Sequence, residues 1–144
     1  MLSRLLLAWS LMAICVVIHA AGLITAFHWI KARPEPVRSH FWTGTWMLVV
    51  TVGWVVLMHV CQIAVWAFFY VWKDAMPDLD TSFYYSVVTY TTTGYGDVVL
   101  PDEWQLVGGV EALTGILMCG LSTGFFFAVF SKIFGLSRSS SSAG

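Results

Sequence analysis

The sequence predicts an all-α membrane protein with three transmembrane helices per subunit and a re-entrant segment between the second and third. Three observations predict it. Hydrophobic residues make up 58% of the 144-residue chain and charged residues only 10%, far below the roughly 25% charge of a soluble domain. Three apolar stretches each reach the ~20 residues that a helix needs to cross the hydrocarbon core. Between the second and third, residues 81–101 are too polar to cross alone, yet they sit where a connecting loop can dip into the membrane and return.

The first span is 5–30, with no Asp, Glu, Lys or Arg. The second is 41–72, also without charge, and long enough to tilt or to project beyond the bilayer. The third is an inner helix over 103–134, whose stretch from Trp104 to Ser131 holds one charge, Glu111. In hydrocarbon the backbone must bond to itself, so all three are helices.

Met1 to Gly22 also reads like a signal peptide, with Arg4, an apolar core and Ala20-Ala21. Charge decides against cleavage. Residues 31–40 hold Lys31, Arg33 and Arg38 against Glu35, and the tail holds Lys132 and Arg138. Residues 73–103 hold Asp74, Asp78, Asp80, Asp97, Asp102 and Glu103 against Lys73. Basic loops stay cytoplasmic. The expected topology is multi-pass in a cell membrane, with the N-terminus outside, the C-terminus cytoplasmic and the first helix retained.

Trp29, Trp42 and Trp46 are expected at the inner interface, and Trp66, Trp72 and Trp104 at the outer one. Trp54 fits neither belt and is expected between helices or against lipid. Cys15, Cys61 and Cys119 lack metal or disulfide spacing and read as small buried packing residues. Arg33-Pro34-Glu35-Pro36 is a helix stop. Residues 135–144 are Ser-rich and read as a disordered tail. A net charge of −1 gives no footprint for nucleic acid. No cofactor or catalytic residue is expected. There is no internal repeat, so each chain carries one re-entrant segment.

Within that segment, Asp80 or Thr81 can cap a short helix over 82–91. Then comes Thr92-Thr93-Gly94-Tyr95-Gly96-Asp97. This run resembles the selectivity-filter signature of potassium channels. The resemblance extends to Tyr84-Tyr85-Ser86, similar to the aromatic-aromatic-Ser run of the family's pore helix. Gly115 and Gly120 are similar to small residues of its inner helix. It covers 41–134, the pore module, and looks like small bacterial potassium channels with one extra N-terminal helix. It implies a homotetramer in the lipid of a bacterial inner membrane that conducts K+ passively and is no enzyme.

The residue types make physical sense. A dehydrated K+ needs oxygen ligands, and successive backbone carbonyls supply them only if they point the same way. An ordinary strand alternates them, so the backbone must alternate normal and left-handed angles. Glycine takes positive φ at low cost, which gives Gly94 and Gly96 a use. Carbonyls of Thr92, Thr93, Gly94 and Tyr95 would form the stacked K+ sites, with the Thr92 hydroxyl nearest the cavity. One chain gives one oxygen per ring, so four chains must share an axis. The short helix would aim its negative C-terminal end at the cation.

The resemblance implies that Asp97 bonds a pore-helix aromatic, with Tyr85 the expected donor; Asp97 can equally be one acid of an acidic vestibule. Thr93 stands where the family often has Val, and its hydroxyl can alter filter stiffness. Val88 stands where some relatives place a Glu. Glu111 can support the filter or lie hydrated near the outer interface. Ile116, Cys119, Thr123 and Phe127 share one helical face, which the resemblance places on the pore, with Phe127 as a hydrophobic constriction. Gly115 and Gly120 can serve as hinges or as close helix contacts. The first span lacks the Arg repeat of a voltage sensor. Rival readings are a weakly selective cation channel, a haem or quinone protein using His19, His28 and His59, and a non-conducting accessory subunit.

Overall fold

The computed structural model describes residues 2–32 and 41–133. Three long helices and one short one make up the fold: α1 (Leu2–Lys31), α2 (Phe41–Trp72), α3 (Leu79–Tyr90) and α4 (Gln105–Ile133), the last preceded by a 3-10 turn, Asp102–Trp104. Helices covering Leu2–Lys31, Trp42–Trp72 and Asp102–Ser131 are long and apolar enough to cross a membrane. The expected fold class is therefore met. The Arg33–Pro36 stop, the tail at 135–144 and the last residue of the expected inner helix lie outside the described residues.

α1 packs against both α2 and α4. Its buried residues, Ala8, Cys15, His19, Gly22, Ala26 and Ile30, recur in steps of three, four and seven, one stripe along a 3.6-residue helix. Small residues in that stripe let the helix axes approach. A Cβ at Gly22 would lie 2.6 Å from Met58 Sδ, and the Gly22 carbonyl accepts a bond from Trp54 Nε1 at 2.9 Å. Trp54 thus sits between helices. At the other end of α1, Arg4 pairs with Glu103 at 2.8 Å and stacks 5.0 Å above the Trp104 ring. The pair is partly exposed and worth at most about 1 kcal/mol. It puts the N-terminus of α1 beside the N-terminus of α4.

α2 ends in a Schellman turn. Ala75 N–H donates to the Tyr70 carbonyl at 2.9 Å and Asp74 N–H to Val71 at 3.0 Å, with Asp74 at φ 51° in the position usually held by glycine. α3 begins three residues before the expected Ser82. The cap is Asp78, not Asp80 or Thr81: Asp78 Oδ1 accepts from Thr81 N–H at 2.8 Å and Oδ2 from the Thr81 hydroxyl at 2.9 Å. These bonds, the backbone one first, hold the Asp78 carboxyl below its ordinary pKa.

α3 lies between α2 and α4. Ser82 Oγ, fully buried, donates to the Ala67 carbonyl of α2 at 2.7 Å. An aromatic core joins the three: Phe69 meets Trp104 with centroids 5.7 Å apart, and Tyr70 meets Tyr85 at 5.4 Å, both edge to face. Trp66 is fully buried in this core, because its α2 face is the one α1 and α3 cover. One expectation is corrected here. Of the cysteines only Cys15 is buried; Cys61 and Cys119 stand on open helix faces.

Candidate functional site: the re-entrant loop

The loop after α3 follows from how α3 ends. Thr93 N–H donates to the Val88 carbonyl at 2.9 Å and Thr92 N–H to Thr89 at 2.9 Å. This is a second Schellman turn, and Thr92 takes its left-handed position at φ 59°. A β-branched residue there is a true outlier and costs about 1–2 kcal/mol relative to glycine. Gly94 follows at φ 59° and Gly96 at φ 75°. Left-handed angles therefore fall on 92, 94 and 96, with Thr93 and Tyr95 between them in the ordinary region. Sequence reasoning named Gly94 and Gly96 but missed Thr92, whose signal is the helix end rather than its side chain.

Thr93 departs from an apolar residue in a way the structure makes specific. Thr91 Oγ1 donates to the Val87 carbonyl at 2.7 Å, so its lone pair is free to accept, and Thr93 Oγ1 lies 2.8 Å away as donor. The loop is thereby tied to the last turn of α3. Thr93→Val removes that tie while keeping shape. We expect a loss of about 1 kcal/mol in unfolding free energy, read by denaturant titration in detergent; an unchanged midpoint would mean the bond contributes nothing.

The aromatic that reaches Asp97 is Tyr84, not Tyr85. Tyr84 Oη donates to Asp97 Oδ2 at 2.6 Å. Neighbours on a helix point about 100° apart, and packing sets the phase. Tyr85 turns inward onto Tyr70 and fills the space over Gly108, where a Cβ would overlap its hydroxyl. The Tyr84 bond holds the Asp97 carboxyl below its ordinary 3.8 and, because Asp97 retains the proton on Tyr84, raises Tyr84 above 10.0. A depressed acid stabilises above its ordinary value and loses that contribution as pH falls through the folded value. A raised phenol stabilises below its ordinary value and loses it as pH rises through the folded one. The bond's contribution should thus be flat from pH 3.8 to 10.0 and vanish outside. In Tyr84→Phe the Asp97 titration, followed by carboxyl infrared bands, should move up; no movement would dismiss the bond.

Glu111 is fully buried within the chain. Its Oε2 accepts from Tyr70 Oη at 2.8 Å. Ser86 of α3 faces the carboxyl, but neither Ser86 Oγ nor Glu111 Oε1 makes a bond of good geometry. The acid thus stands behind α3 and is 0% exposed, touching α2 and not the loop itself.

Gly115 has the geometry of close packing. A Cβ there would overlap the Tyr90 carbonyl at the end of α3. At Gly120 nothing lies within 4 Å. Ile116, Cys119, Thr123 and Phe127 are all exposed on one side of α4, while Glu111, Thr114, Gly115, Met118, Ser122 and Val129 face the bundle. Residues 91–97 are likewise open on the chain's surface.

The site residues that sequence reasoning missed are polar and buried. His19 and Gln62 are 0% exposed, Tyr90 1% and Ser122 5%. Together with His59 they hydrogen-bond one another across all four helices. His19 and His59, weighed with His28 as haem or quinone ligands, have their ring nitrogens engaged in these bonds, and no group of three or more His, Cys, Asp and Glu among the described residues is placed to hold a metal ion.

The comparisons with known proteins agree with this arrangement. The potassium voltage-gated channel protein Shal of Drosophila melanogaster is 40% identical over 58 residues, covering 39% of this chain and 10% of that protein. The chain thus spans about a tenth of the length of the curated relative it matches. No solved structure matches it. A family model described as "Ion channel" matches residues 54–132, more than half of the chain, from mid-α2 through α3 and the loop to the end of α4. The chain belongs to the ion-channel family and carries its integral-membrane pore domain, a channel and not an enzyme.

Proposed function

We propose that the protein is a subunit of a homotetrameric, potassium-selective channel that conducts K+ passively across a cell membrane. The observation that carries the reading is the alternation of left-handed backbone at Thr92, Gly94 and Gly96. Alternation of this kind turns successive carbonyls to one side. Carbonyls of Thr92, Thr93, Gly94 and Tyr95 line the ion path, with the Thr92 hydroxyl at its inner mouth, and the Tyr84–Asp97 bond braces its outer end. Four copies are needed because each supplies one oxygen per ring. The open surface of 91–97 and of the Ile116, Cys119, Thr123 and Phe127 face supports their meeting on an axis. In that arrangement those four residues line the inner pore, with Phe127 nearest the C-terminal end.

The pore module is 41–134, to which 5–30 adds a helix on the lipid side. Glu111 supports the filter from behind α3, and Gly120 is the position free to bend. Charge bias supports an external N-terminus and Asp97 end and a cytoplasmic C-terminus. The test is K+ flux from liposomes containing the purified protein, with Na+ as control and Ba2+ as blocker. Ba2+-sensitive K+ flux well above Na+ flux is expected. Equal fluxes of the two ions would replace the reading with a weakly selective cation channel.

A further inference from the structure

The buried polar residues form a closed ring. Tyr90 Oη donates to Gln62 Oε1. That places the Gln62 amide nitrogen 3.0 Å from His19 Nδ1, which must accept. The His19 proton then sits on Nε2, 3.2 Å from Ser122 Oγ. Ser122 Oγ lies 3.0 Å from His59 Nε2 and passes its proton there. His59 Nδ1 carries the last proton and donates to Tyr90 Oη at 3.0 Å. Each of the five side chains donates once and accepts once, both imidazoles are neutral, and the bonds run in one direction around the ring. Ser122 also lies 3.0 Å from the Met118 carbonyl, the alternative acceptor for its proton.

The members come one from α1, two from α2 and one from α4, and they meet on Tyr90, the last residue of α3. Its carbonyl abuts Gly115 of α4. Tyr90 is thus held at both ends, two residues before the left-handed Thr92 that opens the loop. Among the described residues the ring is the hydrogen-bonded route from α1 to the end of α3, beside the apolar packing of Ala8 and Cys15 in the cluster that holds Tyr90.

We propose that the ring of His19, Gln62, His59, Ser122 and Tyr90 positions the C-terminal turn of α3, and through it the inner mouth of the filter, making α1 part of the ion-selecting machinery. The inference rests on the potassium-channel reading. Breaking the ring leaves buried or half-buried donors and acceptors unpaired, and the last turn of α3 is then free to shift.

Tyr90→Phe and Ser122→Ala each remove one member and with it two of the ring's bonds, and Ser122→Thr keeps the hydroxyl. Tetramer content is read by cross-linking, and the K+/Na+ permeability ratio from reversal potentials in planar bilayers. We expect assembled Tyr90→Phe and Ser122→Ala channels whose ratio falls about fivefold or more, with Ser122→Thr restored. Assembled variants that keep the wild-type ratio overturn the proposal, even if they melt earlier. If Tyr90→Phe does not assemble, the Ser122→Ala and Ser122→Thr pair decides. Wild-type protein that does not discriminate K+ from Na+ overturns the function proposed above, and the positioning role is then decided by amide hydrogen exchange. The Thr93 and Gly94 N–H groups, both bonded to the Val88 carbonyl, should exchange about fivefold or more faster in Ser122→Ala; unchanged exchange overturns it.

Discussion

Gly115→Ala should cost about 3 kcal/mol per subunit and leave little assembled channel. The added methyl meets a backbone carbonyl, that of Tyr90, and a carbonyl at a helix end cannot rotate away as a flexible side chain can. Either α4 moves out or the last turn of α3 moves down, and both disturb the loop that follows. Gly120→Ala is the matched control, since nothing lies within 4 Å of its position in the chain. Denaturant titration in detergent and cross-linked tetramer on a gel would read both. A Gly115→Ala protein within about 0.5 kcal/mol of wild type would show that the two helices have room to part.

Gly94→Ala tests the loop rather than the packing. No atom lies within 4 Å to clash with the new methyl, so only the backbone objects. At φ 59° an L-residue other than glycine costs about 1–2 kcal/mol. The cheapest relief is to rotate out of the left-handed region, which turns one carbonyl away from its neighbours. K+/Na+ discrimination should collapse while the helices and the tetramer persist. Gly53→Ala makes the same change in mid-helix with open space around it, and there helix propensity favours alanine by up to about 1 kcal/mol. Full discrimination in Gly94→Ala would mean that carbonyl direction at this residue does not matter.

The three spans were legible because burial in lipid and backbone self-satisfaction leave few alternatives for long uncharged runs. The loop was legible through its resemblance to a family's filter signature, for which glycine at every second position supplies a local backbone reason. Tyr84 and Tyr85 show where legibility stops. Both are aromatic and adjacent, and which one faces Asp97 depends on the rotation of α3, fixed by Tyr70 and Gly108 from distant segments. The α3 cap was placed two residues late because Asp78 and Asp80 are equally good caps by composition. The polar ring was hidden for a related reason. His19, Gln62 and Ser122 stand alone in apolar runs, and no local spacing pairs residues 43 or 103 positions apart. Each alone reads as a packed exception, and only the fold gives them partners.

The contact between Arg4 and Glu103 spans 99 residues, and that between His19 and Ser122 spans 103. α1 therefore finds partners in and just before α4, segments made well after it. Until α4 is made, the His19 imidazole has its Gln62 bond but lacks Ser122, and α3 lacks the helix that closes behind it. Membrane insertion and folding are separated in time: α1 and α2 can enter as they emerge, but the re-entrant turn has no fixed floor before α4 is made. Nascent chains arrested before residue 105 should thus be membrane-integrated yet protease-sensitive at the loop, and protection should arrive in one step once α4 clears the exit tunnel.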